Sequence, residues 1–161
     1  MTRGARACGL VWLAIVAVAA GPASAEPVPG WSFASWSATP STVEAAATAA
    51  KLTAITVNAD DAAMYGLPGS AVPFAFEVAI YGQPAVAYPI FRDGGLVAVR
   101  FVVSDPGACR TVLDGLTADF GPGAADQSGF ANINWPPTDS FGLTVVVTPS
   151  FCWPLFSRPG V

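Results

Sequence analysis

The sequence has no histidine and little charge of either sign. Of its 161 residues, 7 are Lys or Arg and 11 are Asp or Glu, so charged residues make up 11% of the chain, where about 25% is typical. Without histidine there is no Ser-His-Asp or Cys-His nucleophile system and no imidazole metal ligand. The few cations, outnumbered by acids, leave no basic footprint, so nucleic acid is excluded as a partner. Cysteine is scarce as well, present only at Cys8, Cys109 and Cys152.

What is present begins with an export pattern. Met1-Thr-Arg-Gly-Ala-Arg6 is basic, Leu10 to Ala20 is densely apolar, and Gly21-Pro22 leads to the small triplet Ala23-Ser24-Ala25. This order predicts a cleavable secretory signal over residues 1–25, cut between Ala25 and Glu26. The alternative is an uncleaved anchor, since the uncharged run from Ala7 to Ala25 is close to the ~20 residues a spanning helix needs. Its dense apolar part is only Leu10 to Ala20 and Gly21-Pro22 interrupts it, so cleavage is expected, with no membrane span after removal of the signal. About 136 residues remain, the size of one domain, with a frayed leader at 26–30 and a loose tail at 157–161. Losing Arg3 and Arg6 leaves five basic residues against eleven acidic, a side-chain charge of −6. The expected location is the bacterial periplasm or the exterior.

Removing the signal also removes Cys8, leaving Cys109 and Cys152 as one pair in an oxidising compartment. Redox dithiols are spaced C-x-x-C and this pair is not, so a structural disulfide is expected, worth roughly 4 kcal/mol in the loop-entropy picture.

Along the mature chain, Trp31 to Trp36 reads as a short strand. Ser41-Thr-Val-Glu44 forms a capping box behind Pro40, predicting a helix through the alanine-rich run to Lys51 with Val43, Ala46, Ala47 and Ala50 inward. Leu52 to Val57 is β-branched and reads as strand, Asn58 to Asp61 and Tyr65 to Gly69 as turns, and Ala71 to Tyr81 as strand. Asp93-Gly94 signals a two-residue type I′ hairpin. An uninterrupted ladder from it would pair Phe91 with Leu96 and Ile90 with Val97, gathering Val86, Tyr88, Ile90, Val97, Val99 and Phe101 on one face. Asp105-Pro106 is a cap followed by proline at the first helical position. Behind it, Cys109, Val112, Leu113, Leu116 and Phe120 form an amphipathic stripe, stopped by Gly121-Pro-Gly123. Gly123 to Gly129 reads as a polar loop. Strands at Phe130 to Trp135, Leu143 to Thr148 and Phe151 to Phe156 complete the chain. The fold class is therefore α+β: an antiparallel sheet with two helices packed on one face and one disulfide.

Phe91-Arg-Asp-Gly-Gly-Leu96, Cys109-Arg-Thr-Val-Leu-Asp-Gly-Leu116, Phe120-Gly-Pro122 and Trp135 occur in an order that resembles β-lactamase-inhibitor-protein-like domains, small exported bacterial modules. The resemblance spans Val72 to Phe156 and implies a binding or accessory module rather than an enzyme. No inhibitory residue carries over.

Residues for chemistry are few. Asp60-Asp61 is the only adjacent acid pair and sits in a turn-forming stretch; Asp93 serves the hairpin and Asp105 the helix cap. Asp119, Asp126, Gln127 and Ser128 surround a glycine-containing loop without EF-hand spacing. There is no nucleophile elbow and no phosphate loop. No catalytic residue, metal or cofactor is expected. The tryptophans Trp31, Trp36, Trp135 and Trp153, together with Phe151 and Phe156, are candidates for a sugar- or protein-binding surface, against the alternative that such large rings fill the core. The expected function is an exported, non-enzymatic module that binds a protein or cell-envelope component. The alternatives are a carboxylate-dependent hydrolase, which requires two acids in one cleft, and a structural envelope protein without a discrete ligand. Oligomeric state is left open.

Overall fold

The computed structural model describes Trp31, residues 34–126 and residues 131–161. The signal segment, the Ala25/Glu26 junction, Gln127 and Ser128 lie outside the described residues. Among the described residues, three helices, α1 (Pro40–Ala49), α2 (Ala59–Tyr65) and α3 (Pro106–Phe120), accompany eight strands. These are β1 (Ala54–Thr56), β2 (Phe74–Ile80), β3 (Gln83–Arg92), β4 (Gly95–Val102), β5 (Ala124–Asp126), β6 (Ala131–Asn134), β7 (Gly142–Val147) and β8 (Cys152–Ser157). All eight form one antiparallel sheet in the order β1-β2-β3-β4-β8-β7-β6-β5. Both edge strands are only three residues long, which limits the unpaired backbone offered to another chain.

One sheet face carries the main core. Phe74, Phe76, Ile80, Ala87, Phe91, Leu96, Val99, Phe101, Leu143, Val145 and Phe156 pack with Val43 and Ala47 of α1 and with Ala108, Cys109, Val112 and Leu116 of α3. The α+β class, the two helices on one face and the disulfide are thus present as expected. Cys109 and Cys152 are bridged with Cα atoms 5.7 Å apart, joining the first turn of α3 to the first residue of β8.

Several local expectations are corrected. Helix α1 is capped by Thr39, whose Oγ1 accepts from the Thr42 N–H, not by a Ser41–Glu44 box. The reason is Pro40: lacking an N–H and preset in φ, it takes the first helical position, which puts the cap at Thr39, two residues before Ser41. Residues 58–61 are not a turn but the start of α2. Asn58 Oδ1 accepts from the Asp61 N–H, Asn58 Nδ2 donates to Asp61 Oδ2, and the first-turn acids suit the helix N-terminus. After Trp31, the described part of the expected first strand is irregular. It leads into a turn at Trp36–Ser37, where the Ser37 N–H donates to the Leu96 carbonyl. Residues 124–126, expected in a loop, form edge strand β5.

The hairpin turn is as expected, with Asp93 at φ 53° and Gly94 at φ 77°, the left-handed pair a type I′ turn requires. Its ladder is not. Phe91 pairs with Leu96, but Ile90 pairs with Ala98, so Val97 is an extra residue in β4. This bulge moves every later pair by one. Val86 therefore meets Val102, Tyr88 meets Arg100, and Ala87 meets Phe101. Val99 and Phe101 turn to the helix side, while Val86, Tyr88 and Ile90 face the other way. A proline ends a second ladder early: β2–β3 pairing runs from Ile80↔Gln83 to Phe76↔Ala87, short of Pro89, which has no N–H to donate. The strands meet again only at Ala71↔Phe91.

Candidate functional site on the second sheet face

The registers place two side-by-side rows on the face opposite α1 and α3. One runs Tyr88, Arg100, Leu155, Thr144, Asn134. The other holds Glu77, Val86 and Val102 on one side and Trp153, Val146, Asn132 and Asp126 on the other. Helix α2 and the chain after it lie over part of this face. Val72, Ile90, Val97 and Ala98 form a small second core there, supported by Val57, Ala62, Leu67, Tyr88 and Leu155.

Four rings make a continuous line across it. The Tyr65 ring of α2 lies 4.3 Å from the Tyr88 ring and meets Trp153 edge-on at 5.6 Å; Trp153 stacks on Phe151 at 4.5 Å and 15°. All four residues are half-buried. Trp153 Nε1 is buried with no hydrogen-bond partner among the described residues, an arrangement that costs a donor its hydration. Nearby, Arg100 Nη1 donates to the Met64 carbonyl at 3.1 Å. Burial lowers the Arg100 pKa from its usual range, partly offset by Tyr65. The Tyr88 pKa is raised, first by burial and then by Tyr65 and Asp61. Beyond Trp153 the face is uncharged as far as Asp126 on edge strand β5: Thr144 Oγ1 donates to Asn134 Oδ1 at 2.9 Å, beside Val146 and Asn132.

The four tryptophans do not form one surface. Trp31 is fully buried in the main core and Trp135 is 6% exposed. Trp135 Nε1 donates to the Gly121 carbonyl and Trp36 Nε1 to the Ser140 carbonyl, each at 2.8 Å, so these two fasten loops on the helix side. Large rings in a chain with so few charges go inside. Only Trp153 lies on the second face. Tyr65 and Tyr88, its neighbours there, are not among the expected candidates: the sequence reading puts Tyr65 in a turn and groups Tyr88 with Val99 and Phe101, from which the bulge separates it.

Four of the acids hold structural positions. Asp105 Oδ1 accepts from the Ala108 N–H at 2.6 Å, Asp61 pairs with Asn58, Asp93 sits in the hairpin turn, and Asp119 accepts from Tyr81. Glu77 and Asp105 do line one groove of about 730 Å³, with Val86, Val102 and Ser104, but both are solvent-exposed and Asp105 is already engaged as a cap. No group of three metal-ligating side chains occurs among the described residues. No helix among them is long and apolar enough to cross a membrane. The disulfide points to an oxidising, extracytoplasmic compartment. Comparison with protein-family models, with curated proteins and with solved structures returned no match.

Proposed function

We propose that this chain is an exported, non-enzymatic module of the bacterial periplasm or exterior that binds a protein of the cell envelope through its second sheet face. The observation that carries the reading is the half-buried line Tyr88–Tyr65–Trp153–Phe151, set beside neutral Thr144, Val146, Asn132 and Asn134. Half-exposed aromatics bordered by uncharged polar groups have the composition of a protein-binding patch. The signal-like leader, the disulfide and the resemblance to β-lactamase-inhibitor-protein-like domains support the same reading.

The test is site-specific photocrosslinking in the native envelope. A crosslinker replacing Thr144 on the second face, or Thr111 on α3, is compared in otherwise identical chains. A discrete adduct from position 144, absent from 111 and weakened at least tenfold by Trp153→Ser, supports the proposal. Equal labelling from both positions, or an adduct indifferent to Trp153→Ser, overturns it.

A further inference from the structure

Helix α2 and the turn behind it are attached to the sheet differently from the rest of the chain. Seven residues are too few for a helix to hold itself in water, and α2 contributes no fully buried side chain, whereas α1 and α3 bury two and four. It is held from outside. Arg100 Nη1 donates to the Met64 carbonyl and Arg92 Nη2 to the Pro68 carbonyl, both at 3.1 Å. The Tyr65 ring rests on Tyr88 and Trp153, and Ala62 and Leu67 touch the small second core. Firm pairing lies on either side: Thr56↔Phe74 at the end of β1, and the Ala71↔Phe91 bridge with its two backbone hydrogen bonds. Between those anchors the chain leaves the strand at half-buried Val57, which packs on the small second core, and turns at Gly69, which takes φ 71°.

We propose that Asn58–Ser70 is a strap that lifts from the sheet as one unit while β1–β8 and the two long helices stay folded, and that lifting uncovers Tyr88, Leu155 and Trp153. The closed state leaves Trp153 Nε1 buried without an acceptor among the described residues, a cost that opening relieves. What opening loses is two hydrogen bonds from guanidinium groups to carbonyls, one ring wedge and part of a minor cluster, a small fraction of what the main core holds. Segments with few buried apolar contacts open below the global unfolding free energy. The strap rests on the binding role proposed above, because it would set how much of that face a partner meets.

The test is native-state hydrogen exchange by mass spectrometry on the oxidised chain alone, across low denaturant concentrations. Peptides covering 58–67 are expected to exchange roughly a hundredfold faster than those of α3 and the β3–β4 hairpin, with little dependence on denaturant. Arg100→Met should accelerate 58–67 by about tenfold and leave α3 unchanged; Arg92→Met, at the other anchor, should act in the same direction. Matching protection and matching denaturant dependence in 58–67 and β3–β4 would overturn the strap, as would uniform acceleration of all peptides by both variants. No partner is present in the experiment, so its failure leaves the crosslinking result standing, and the reverse.

Discussion

The Tyr81 hydroxyl donates to Asp119 Oδ2 across 2.7 Å, joining the turn after β2 to the last turn of α3. Burial, then the hydrogen bond and the charge of Asp119, raise the Tyr81 pKa well above its usual position. A phenol that keeps its proton more tightly when folded stabilises the fold below its unfolded pKa, near 10, and that contribution disappears as pH rises from there toward the folded value. Stability should therefore be flat through neutral pH and fall above about pH 10. Tyr81→Phe should cost about 1 kcal/mol at pH 7 and make the alkaline fall shallower, both read from urea midpoints across pH. A wild-type and variant curve of equal alkaline slope would refute the link.

The same ring decides the outcome of a helix substitution. Alanine is normally worth about 1 kcal/mol over glycine inside a helix. At Gly115, however, a Cβ would strike the Tyr81 ring at Cδ1, Cγ and Cε1. The ring is tethered at its hydroxyl, so overpacking outweighs propensity. Gly115→Ala is expected to destabilise by roughly 1–3 kcal/mol in urea unfolding, the reverse of the usual sign.

Two indoles with opposite hydrogen-bond status should respond differently. Trp135→Phe removes the donor that satisfies the Gly121 carbonyl at the end of α3 and should cost about 1–2 kcal/mol. Trp153→Phe removes an N–H that has no partner among the described residues, so its effect on the urea midpoint should be near zero. Equal losses would mean that Trp153 Nε1 is bonded in solution.

Breaking the disulfide should lower stability by about 3–4 kcal/mol, since its cysteines are 43 positions apart. For a domain of this size that is a fall in Tm on the order of 10 °C. Calorimetry of Cys109→Ala/Cys152→Ala measures it, and the intact mass of the wild type should be lighter than the dithiol by two hydrogens.

How far the sequence reached follows from what determines each element. Helix α3 was readable to its ends, because Asp105-Pro106, a 3.6-period stripe and Gly121 act locally. The Asp93-Gly94 turn was readable for the same reason. The ladder beyond it was not, since the bulge at Val97 depends on which side chains the two faces can accommodate, and that is fixed only when Leu96 joins the main core and Val97 the small cluster with Ala62 and Leu67. Helix α2 has no apolar stripe to reveal it, and its place on the second face depends on Arg92 and Arg100, far along the chain. Of the aromatic line only Phe151 and Trp153, two residues apart, are legible as candidates; Tyr65 and Tyr88 reach them from two distant segments.

The order of strands carries a consequence for the way the chain is made. The last strand in sequence, β8, sits in the interior of the sheet, between β4 and β7, and brings Cys152 to its partner on α3. A chain growing or being threaded from its N-terminus has β4 and β7 complete while the place between them is still vacant. Until β8 arrives, β1–β4 and β5–β7 are separate sheets with facing raw edges, and Cys109 lacks the partner it has in the finished fold. Shortening the C-terminus by a single strand would remove a keystone, whereas losing β1 or β5 would only trim a margin.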